Sequence, residues 1–184
     1  EEGGAGIGPF HGGFGLVNED GIHKPTYHAF TMLERLGDRL LLATPDGVVT
    51  RDSRTSAVSA VFFNYPDDMG LKGLSARGTY AATRELAAVG PSRRIRHTIE
   101  GLEPGSTFLV EVLDWEHGNV AEAWYALGSP LNLTRAQREH LSRAADALRT
   151  YALTVPDDGV LKLDVELPPW AVMSLRQSGR EARG

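Results

Sequence analysis

RLLLATPDGVVTRD, residues 39–52, sets two short apolar runs on either side of a Pro45-Asp46-Gly47 turn. Proline presets the first corner of a turn and glycine supplies the backbone freedom that a tight reversal needs, so the stretch reads as two strands meeting at a turn. The same texture continues in AVSAVFFNYP (57–66), RRIRHTIEGL (93–102), STFLVEVLDW (106–115) and EAWYALG (122–128), with Glu103-Pro104-Gly105 as a tight connection between two of them. After an Asp157-Asp158-Gly159 turn, VLKLDVEL (160–167) and WAVMSLRQ (170–177) alternate apolar and polar residues on either side of Pro168-Pro169. Alternation places one face of each strand in a core. Strands at this spacing predict a mainly β chain whose residues 39–176 form an antiparallel β-sandwich.

Two segments carry a helical period instead. His23-Lys24-Pro25 precedes TYHAFTMLERLG, where Tyr27, Phe30, Leu33 and Leu36 recur every three residues. Pro25 suits a first turn and Gly37 a C-cap, which predicts a helix over 25–36. Thr134 with Gln137 three residues on is a capping box, and Leu141, Ala144, Ala145, Leu148 and Ala152 form one apolar stripe, predicting a second helix over 135–151 packed on the sheets. Between Met69 and Pro91 the run RGTYAATRELAAVG fits a short helix or an irregular strand pair. Seven of the first fifteen residues are glycine, the composition of a loop, and the polar end 177–184 is expected to fray.

The 184 residues are 41% hydrophobic and 23% charged, which excludes wholesale disorder. Nineteen basic against 24 acidic residues give a net charge of -5, and no basic run is long enough to track a phosphate backbone, so nucleic acid is not an expected partner. No apolar run approaches the length of a membrane helix, so no membrane partner is expected either. The absence of cysteine excludes disulfides, thiolate metal sites and a cysteine nucleophile. It does not fix the compartment, for which the cytoplasm is slightly favoured over secretion.

The glycine-rich opening matches neither the dinucleotide nor the P-loop pattern, so no nucleotide cofactor is expected. The six histidines lack the i, i+4 pairing of a helical zinc site, His23 and His28 being five apart, and no metal is expected. No G-x-S-x-G supports a serine nucleophile. Asn18-Glu19 looks like half of an Asn-Glu-Pro acid/base motif, but Asp20-Gly21 follows, and a solvated turn is the better reading. The remaining candidates are Glu1 and Glu2, followed by Phe10 and His11. Acid, aromatic and imidazole together bind sugars through hydroxyl hydrogen bonds and ring stacking.

These residues carry a resemblance. Glu1-Glu2-Gly3, Phe10-His11-Gly12-Gly13-Phe14-Gly15-Leu16, Gly21-Ile22 and Lys24-Pro25, with Tyr27, Ala29, Phe30, Leu33 and Leu36-Gly37, resemble the end of the catalytic barrel in glycoside hydrolase family 39, the family of β-xylosidases and α-L-iduronidases. The xylosidase branch is the closer likeness. Asn64-Tyr65-Pro66, Gly101-Leu102, Pro104-Gly105, Val110-Glu111-Val112-Leu113-Asp114, His117-Gly118-Asn119, Ala123-Trp124, Gly128, Pro130 and Pro169-Trp170-Ala171-Val172 resemble the accessory β-sandwich of the same enzymes. His23 stands where a proline is expected.

The resemblance implies a division into the last loop and helix of a (β/α)8 TIM barrel over 1–38, the sandwich over 39–176 and a tail. It implies a retaining glycosidase acting on β-xylosides, with a xylose-containing saccharide as substrate, the rest of the catalytic barrel as structural partner and a homo-oligomer as a further possibility. Such an enzyme needs an acid/base and a nucleophile, which the family carries in Asn-Glu-Pro and Thr-Glu-Trp-like motifs. Neither motif occurs in this sequence, so no catalytic residue is assigned to it and the chain alone is not expected to hydrolyse glycosides. Glu1 and Glu2 match a glutamate pair that the family places at the sugar subsite, with Phe10 and His11 as candidates for the pocket wall. Phe30 and Leu33 are expected to face the barrel. Trp115, Trp124 and Trp170 are assigned to core packing rather than to a sugar platform. The alternatives are a carbohydrate-binding sandwich, which needs an exposed row of aromatics, and an oligomerising module.

Overall fold

The computed structural model describes residues 9–10, 15–66, 84–85 and 87–178. Helix α1 (Pro25–Glu34) comes first, followed by β1 (Arg39–Thr44), β2 (Gly47–Arg51), β3 (Val58–Phe63), β4 (Arg93–Ile99) and β5 (Thr107–Leu113). Two further helices, α2 (Ala121–Ala126) and α3 (Arg135–Ala145), precede β6 (Arg149–Thr154), β7 (Leu161–Leu167) and β8 (Val172–Ser178). All the pairings are antiparallel, in a six-stranded sheet ordered β1-β2-β3-β8-β5-β6 and a two-stranded ribbon of β4 and β7.

Strand alternation builds two apolar layers. Val58, Ala60 and Phe62 of β3, Phe108, Val110 and Val112 of β5, and Met173 and Leu175 of β8 point to one face of the large sheet. There they share a single cluster with Ile95 and Ile99 of β4 and Leu161, Leu163 and Leu167 of β7. The intervening residues Val61, Leu113 and Val172 point to the opposite face and meet Ala29, Met32 and Leu36 of the α1 segment. An ion pair between Arg35 and Glu111 of β5 ties the end of α1 to that face. Central strands covered on both faces lose the polar half of their alternation, which is why β3 is buried from Val58 to Phe62.

The turn regions do two different jobs. Pro45-Asp46 closes the β1–β2 hairpin as the sequence predicts, with a bulge between Leu40 and Leu42. By contrast Glu103-Pro104-Gly105, Asp157-Asp158-Gly159 and Pro168-Pro169 each join a strand of the ribbon to a strand of the large sheet, so none of them is a hairpin turn. Arg94 grips Asp164 across the ribbon with two hydrogen bonds of 2.6 and 2.8 Å, and this guanidinium holds the Asp164 carboxyl below the usual aspartate range.

Four expectations need correction. EAWYALG is helical, not a strand, in α2. The second long helix has its Thr134–Gln137 capping box but stops at Ala145, and Arg149–Thr154 is an edge strand paired with β5. Leu148 and Ala152 prolong the apolar stripe without being helical: Leu148 packs under α1, and Ala152 sits opposite Leu109. The first helix ends at Glu34 with Arg35 as its C-cap, so Gly37 does not cap it. Gly37 is needed for close approach instead, since a Cβ there would lie 2.3 Å from the Arg51 carbonyl carbon. The start of the expected tail, Gln177 and Ser178, belongs to β8, while 179–184 lies outside the described residues. So does most of 69–91, where Arg84, Glu85 and Ala87 are helical.

A third cluster joins the N-terminal segment to the helices. Ile22, fully buried, packs with Val120, Leu141 and Ala145, and Phe10, Trp124 and Leu133 close the cluster. Truncating a buried isoleucine removes contacts that the surroundings only partly recover. Ile22→Ala is therefore expected to destabilise the protein by about 2–5 kcal/mol, measured by denaturant unfolding; an unchanged midpoint would show that the segment does not dock.

Asn64, 3% exposed, ends β3 and joins three pieces of chain. Its amide donates to the carbonyls of Pro91 and Leu167, both at 3.0 Å, while its backbone exchanges hydrogen bonds with Ala171 and Trp170. Asn64→Ala leaves two carbonyls without their donor and is expected to cost about 1–3 kcal/mol. Thr55→Ala on the exposed β2–β3 loop, measured beside it, should cost less.

Candidate functional site

Of the four residues singled out from the sequence, Glu1, Glu2 and His11 lie outside the described residues. Phe10 is half-buried and meets Trp124 edge-to-face, with ring centroids 5.3 Å apart at 61°. That geometry suits an aromatic pair in an apolar cluster. Phe10 is thereby seated on Trp124 of α2.

The chain that follows is held at closely spaced points. The Asn18 carboxamide oxygen accepts from the backbone N–H groups of Asp20 and Ile22, at 3.1 and 2.8 Å, and its amide donates to the Pro9 carbonyl. Asn18 accordingly builds a turn, Gly21 takes the positive φ of 79° that the turn requires, and Glu19 is exposed. Arg138 of α3 donates to Asp20 at 3.0 Å, and the Asp20 side chain is only 16% exposed. Lys24 N–H donates to the Leu16 carbonyl at 2.8 Å, closing a narrow loop over residues 16–24.

Beyond Ile22, the rings of His23 and Tyr27 stack with centroids 3.7 Å apart. His23 Nδ1 lies 2.7 Å from Asp146 Oδ1, and buried His28 Nε2 lies 2.8 Å from the Ala145 carbonyl oxygen. Asp146 is the C-cap of α3. The spacing of the two histidines gives no sign of a shared partner, because Asp146 lies 118 residues beyond His28 and no local pattern announces a contact of that kind.

The three tryptophans are half-buried, and all lie outside the strands, where the argument for full burial does not apply. Trp115 Nε1 donates to Glu122, Trp124 Nε1 donates to the Pro130 carbonyl, and Trp170 meets Tyr65 edge-to-face with centroids 5.1 Å apart. Trp170 also holds a positive φ of 67°, fixed by its N–H bond to the Asn64 carbonyl at 2.7 Å. The open groove between the β2–β3 loop, residues 101–107 and the end of β8 is lined by Arg51, Glu103, Ser106 and Gln177 and has no aromatic in its walls. Apolar surface is exposed elsewhere: Phe30 is 59% and Leu33 48% exposed on α1, and Leu40 is 64% exposed on the edge strand β1. The helix turns His28 and Met32 inward and leaves Phe30 and Leu33 facing away from the chain's own cores.

Comparison with known proteins gives these features a context. The β-xylosidase of Geobacillus stearothermophilus is 31% identical over 159 residues, covering 86% of this chain and 27% of that protein. A solved β-xylosidase from Caulobacter crescentus CB15, described as monomeric, superposes with a TM-score of 0.68 at 26% identity over 95% of this chain and 34% of its own. A family 39 enzyme from Xanthomonas axonopodis pv. citri superposes with a TM-score of 0.71 at 23% identity, covering 94% of this chain and 33% of that one, and supports the fold. The chain spans about a third or less of the length of these relatives. The model of glycosyl hydrolases family 39 matches residues 1–162, which takes in both the glycine-rich opening of the sequence and the strands from β1 to β6, and the chain belongs to that family.

Proposed function

We propose that this chain is the C-terminal portion of a retaining β-xylosidase-like glycosidase, contributing the last loop and helix of the catalytic barrel and an accessory β-sandwich that supports them. The observation that carries the reading is the family match over residues 1–162, which runs from Glu1 to the start of β7. Two features support it. The 16–24 loop is fastened to α2 and α3 by Ile22, Asp20–Arg138 and His23–Asp146, which gives the residues before it a rigid base. The exposed apolar side chains of α1 and β1 offer a surface that the rest of a barrel would cover.

In this reading Glu1 and Glu2 accept hydrogen bonds from sugar hydroxyls and orient the ring, with Phe10 and His11 near the pocket wall. A carboxylate that holds a hydroxyl more tightly as the ring distorts raises the rate as well as the affinity. The proton transfer and the covalent step belong to two glutamates outside this sequence. The purified 184-residue chain is accordingly expected to release no nitrophenol from an aryl β-xyloside. Turnover abolished by a substitution in this chain would refute the assignment.

The closer test is kinetic. In the complete enzyme, Glu2→Ala or Glu1→Ala is expected to lower kcat/KM on a xyloside by roughly ten- to a hundredfold, the loss of a charge-assisted hydrogen bond of about 1.5–3 kcal/mol. Melting temperatures should stay at the wild-type value. Wild-type kcat/KM in both variants would remove the pair from the sugar site.

A further inference from the structure

His23, His28 and Asp146 bring three ligand atoms within 4.8 Å of one another, on three different parts of the fold: the 16–24 loop, α1 and the C-terminus of α3. His28 Nε2 lies 3.6 Å and His23 Nδ1 2.7 Å from the same carboxylate oxygen, Asp146 Oδ1. Metal–nitrogen and metal–oxygen bonds of about 2.0–2.2 Å place tetrahedral ligand atoms roughly 3.3–3.5 Å apart, so the group needs sub-ångström adjustments at the two measured separations.

The electrostatics of the site favour a cation. Asp146 caps the C-terminal end of α3, where the backbone carbonyls already concentrate negative charge, and its carboxylate adds to it. The Ala145 carbonyl oxygen points at the same place, 2.8 Å from His28 Nε2. The rings are also held before any ion arrives. His23 is stacked on Tyr27, its ring stands at 90° to that of His28, and the His28 side chain is only 8% exposed. The Asp146 side chain is 52% exposed, which leaves an entry path and room for water at an open position.

We propose that His23, His28 and Asp146 form a binding site for a divalent transition-metal ion of the zinc type, a two-histidine, one-carboxylate set that clips the 16–24 loop and α1 to α3. Nitrogen and oxygen ligands without sulfur suit zinc, cobalt or nickel over copper(I), and two imidazoles disfavour calcium and magnesium. On binding, each imidazole shifts its hydrogen to the other ring nitrogen: His28 gives up its bond to the Ala145 carbonyl and His23 its bond to Asp146, and both nitrogens face the ion. The clip crosses 118 residues of sequence between His28 and Asp146, so it stabilises the docked loop in the folded protein and has no counterpart in the unfolded chain.

The test is titration of the chelator-stripped full chain with zinc chloride by calorimetry, with cobalt(II) as an optical probe. One equivalent of zinc is expected, with a rise in melting temperature and visible absorption from tetrahedral cobalt. His23→Gln and Asp146→Asn change partly exposed side chains, and each removes a ligand, so each should weaken binding by more than the roughly 10- to 100-fold that loss of an outer-shell partner costs and abolish the thermal shift. His140→Gln, at an exposed position on α3, should bind as the wild type does. No uptake by the wild type, or equal uptake by Asp146→Asn and His23→Gln, would overturn the site and leave the three residues as a hydrogen-bonded latch only.

Discussion

β3, β8 and β5 lie side by side with both of their faces covered, and the positions of the β4–β7 ribbon and of α1 follow from what those two faces require. One face meets the β4–β7 ribbon and the other meets α1, so the middle of these strands is covered on both sides, and exposure returns only towards their ends, at Phe63 of β3 and Arg176 of β8. Two polar side chains of this sheet show how such groups are tied. Thr50 Oγ1 donates to the Ser59 carbonyl and accepts from Gly37 N–H, and Asn64 satisfies two carbonyls at the end of β3. Burial of a polar group without a partner costs more than most single apolar contacts contribute, which leaves few alternatives for how the sheet, ribbon and helix meet.

This double coverage also decides which features were legible in the sequence. Strands with one solvated face, such as LKLDVEL, alternate cleanly and were read in place. So were the turn between β1 and β2 and the capping box of α3, since each depends on residues within a few positions of one another. The β4–β5, β6–β7 and β7–β8 turns were located correctly, but the sheet each strand would join was not legible, because that depends on partners far along the chain. EAWYALG departs from its strand-like pattern for another reason: a six-residue helix is too short to show a period, and its aromatic residues imitate a strand. The 135–151 helix was overrun because Leu148 and Ala152 are apolar for other packing partners and fall on the helical stripe by coincidence of spacing.

The candidate site divides along the same line. The family likeness pointed to Glu1, Glu2, Phe10 and His11, and to the loop that carries them, from local motifs alone. What holds the 16–24 loop that follows them in sequence was invisible: Ile22 meets Leu141, Asp20 meets Arg138, and His23 meets Asp146, all across more than a hundred residues. The helical pair α2–α3 interrupts the strand order between β5 and β6, and its described contacts go largely to the N-terminal segment. In physical terms it acts as a bracket that holds Phe10 and the 16–24 loop.

The central claim, that the segment opening this chain is a sugar-binding loop braced by the β-rich part, is tested most directly by crystallography of the complete enzyme with a xylose-derived inhibitor bound. The account predicts a carboxylate oxygen of Glu1 or Glu2 within about 2.5–3.0 Å of a sugar hydroxyl, with Phe10 still seated on Trp124. Both carboxylates facing solvent, well beyond hydrogen-bond reach of the bound sugar, would contradict it.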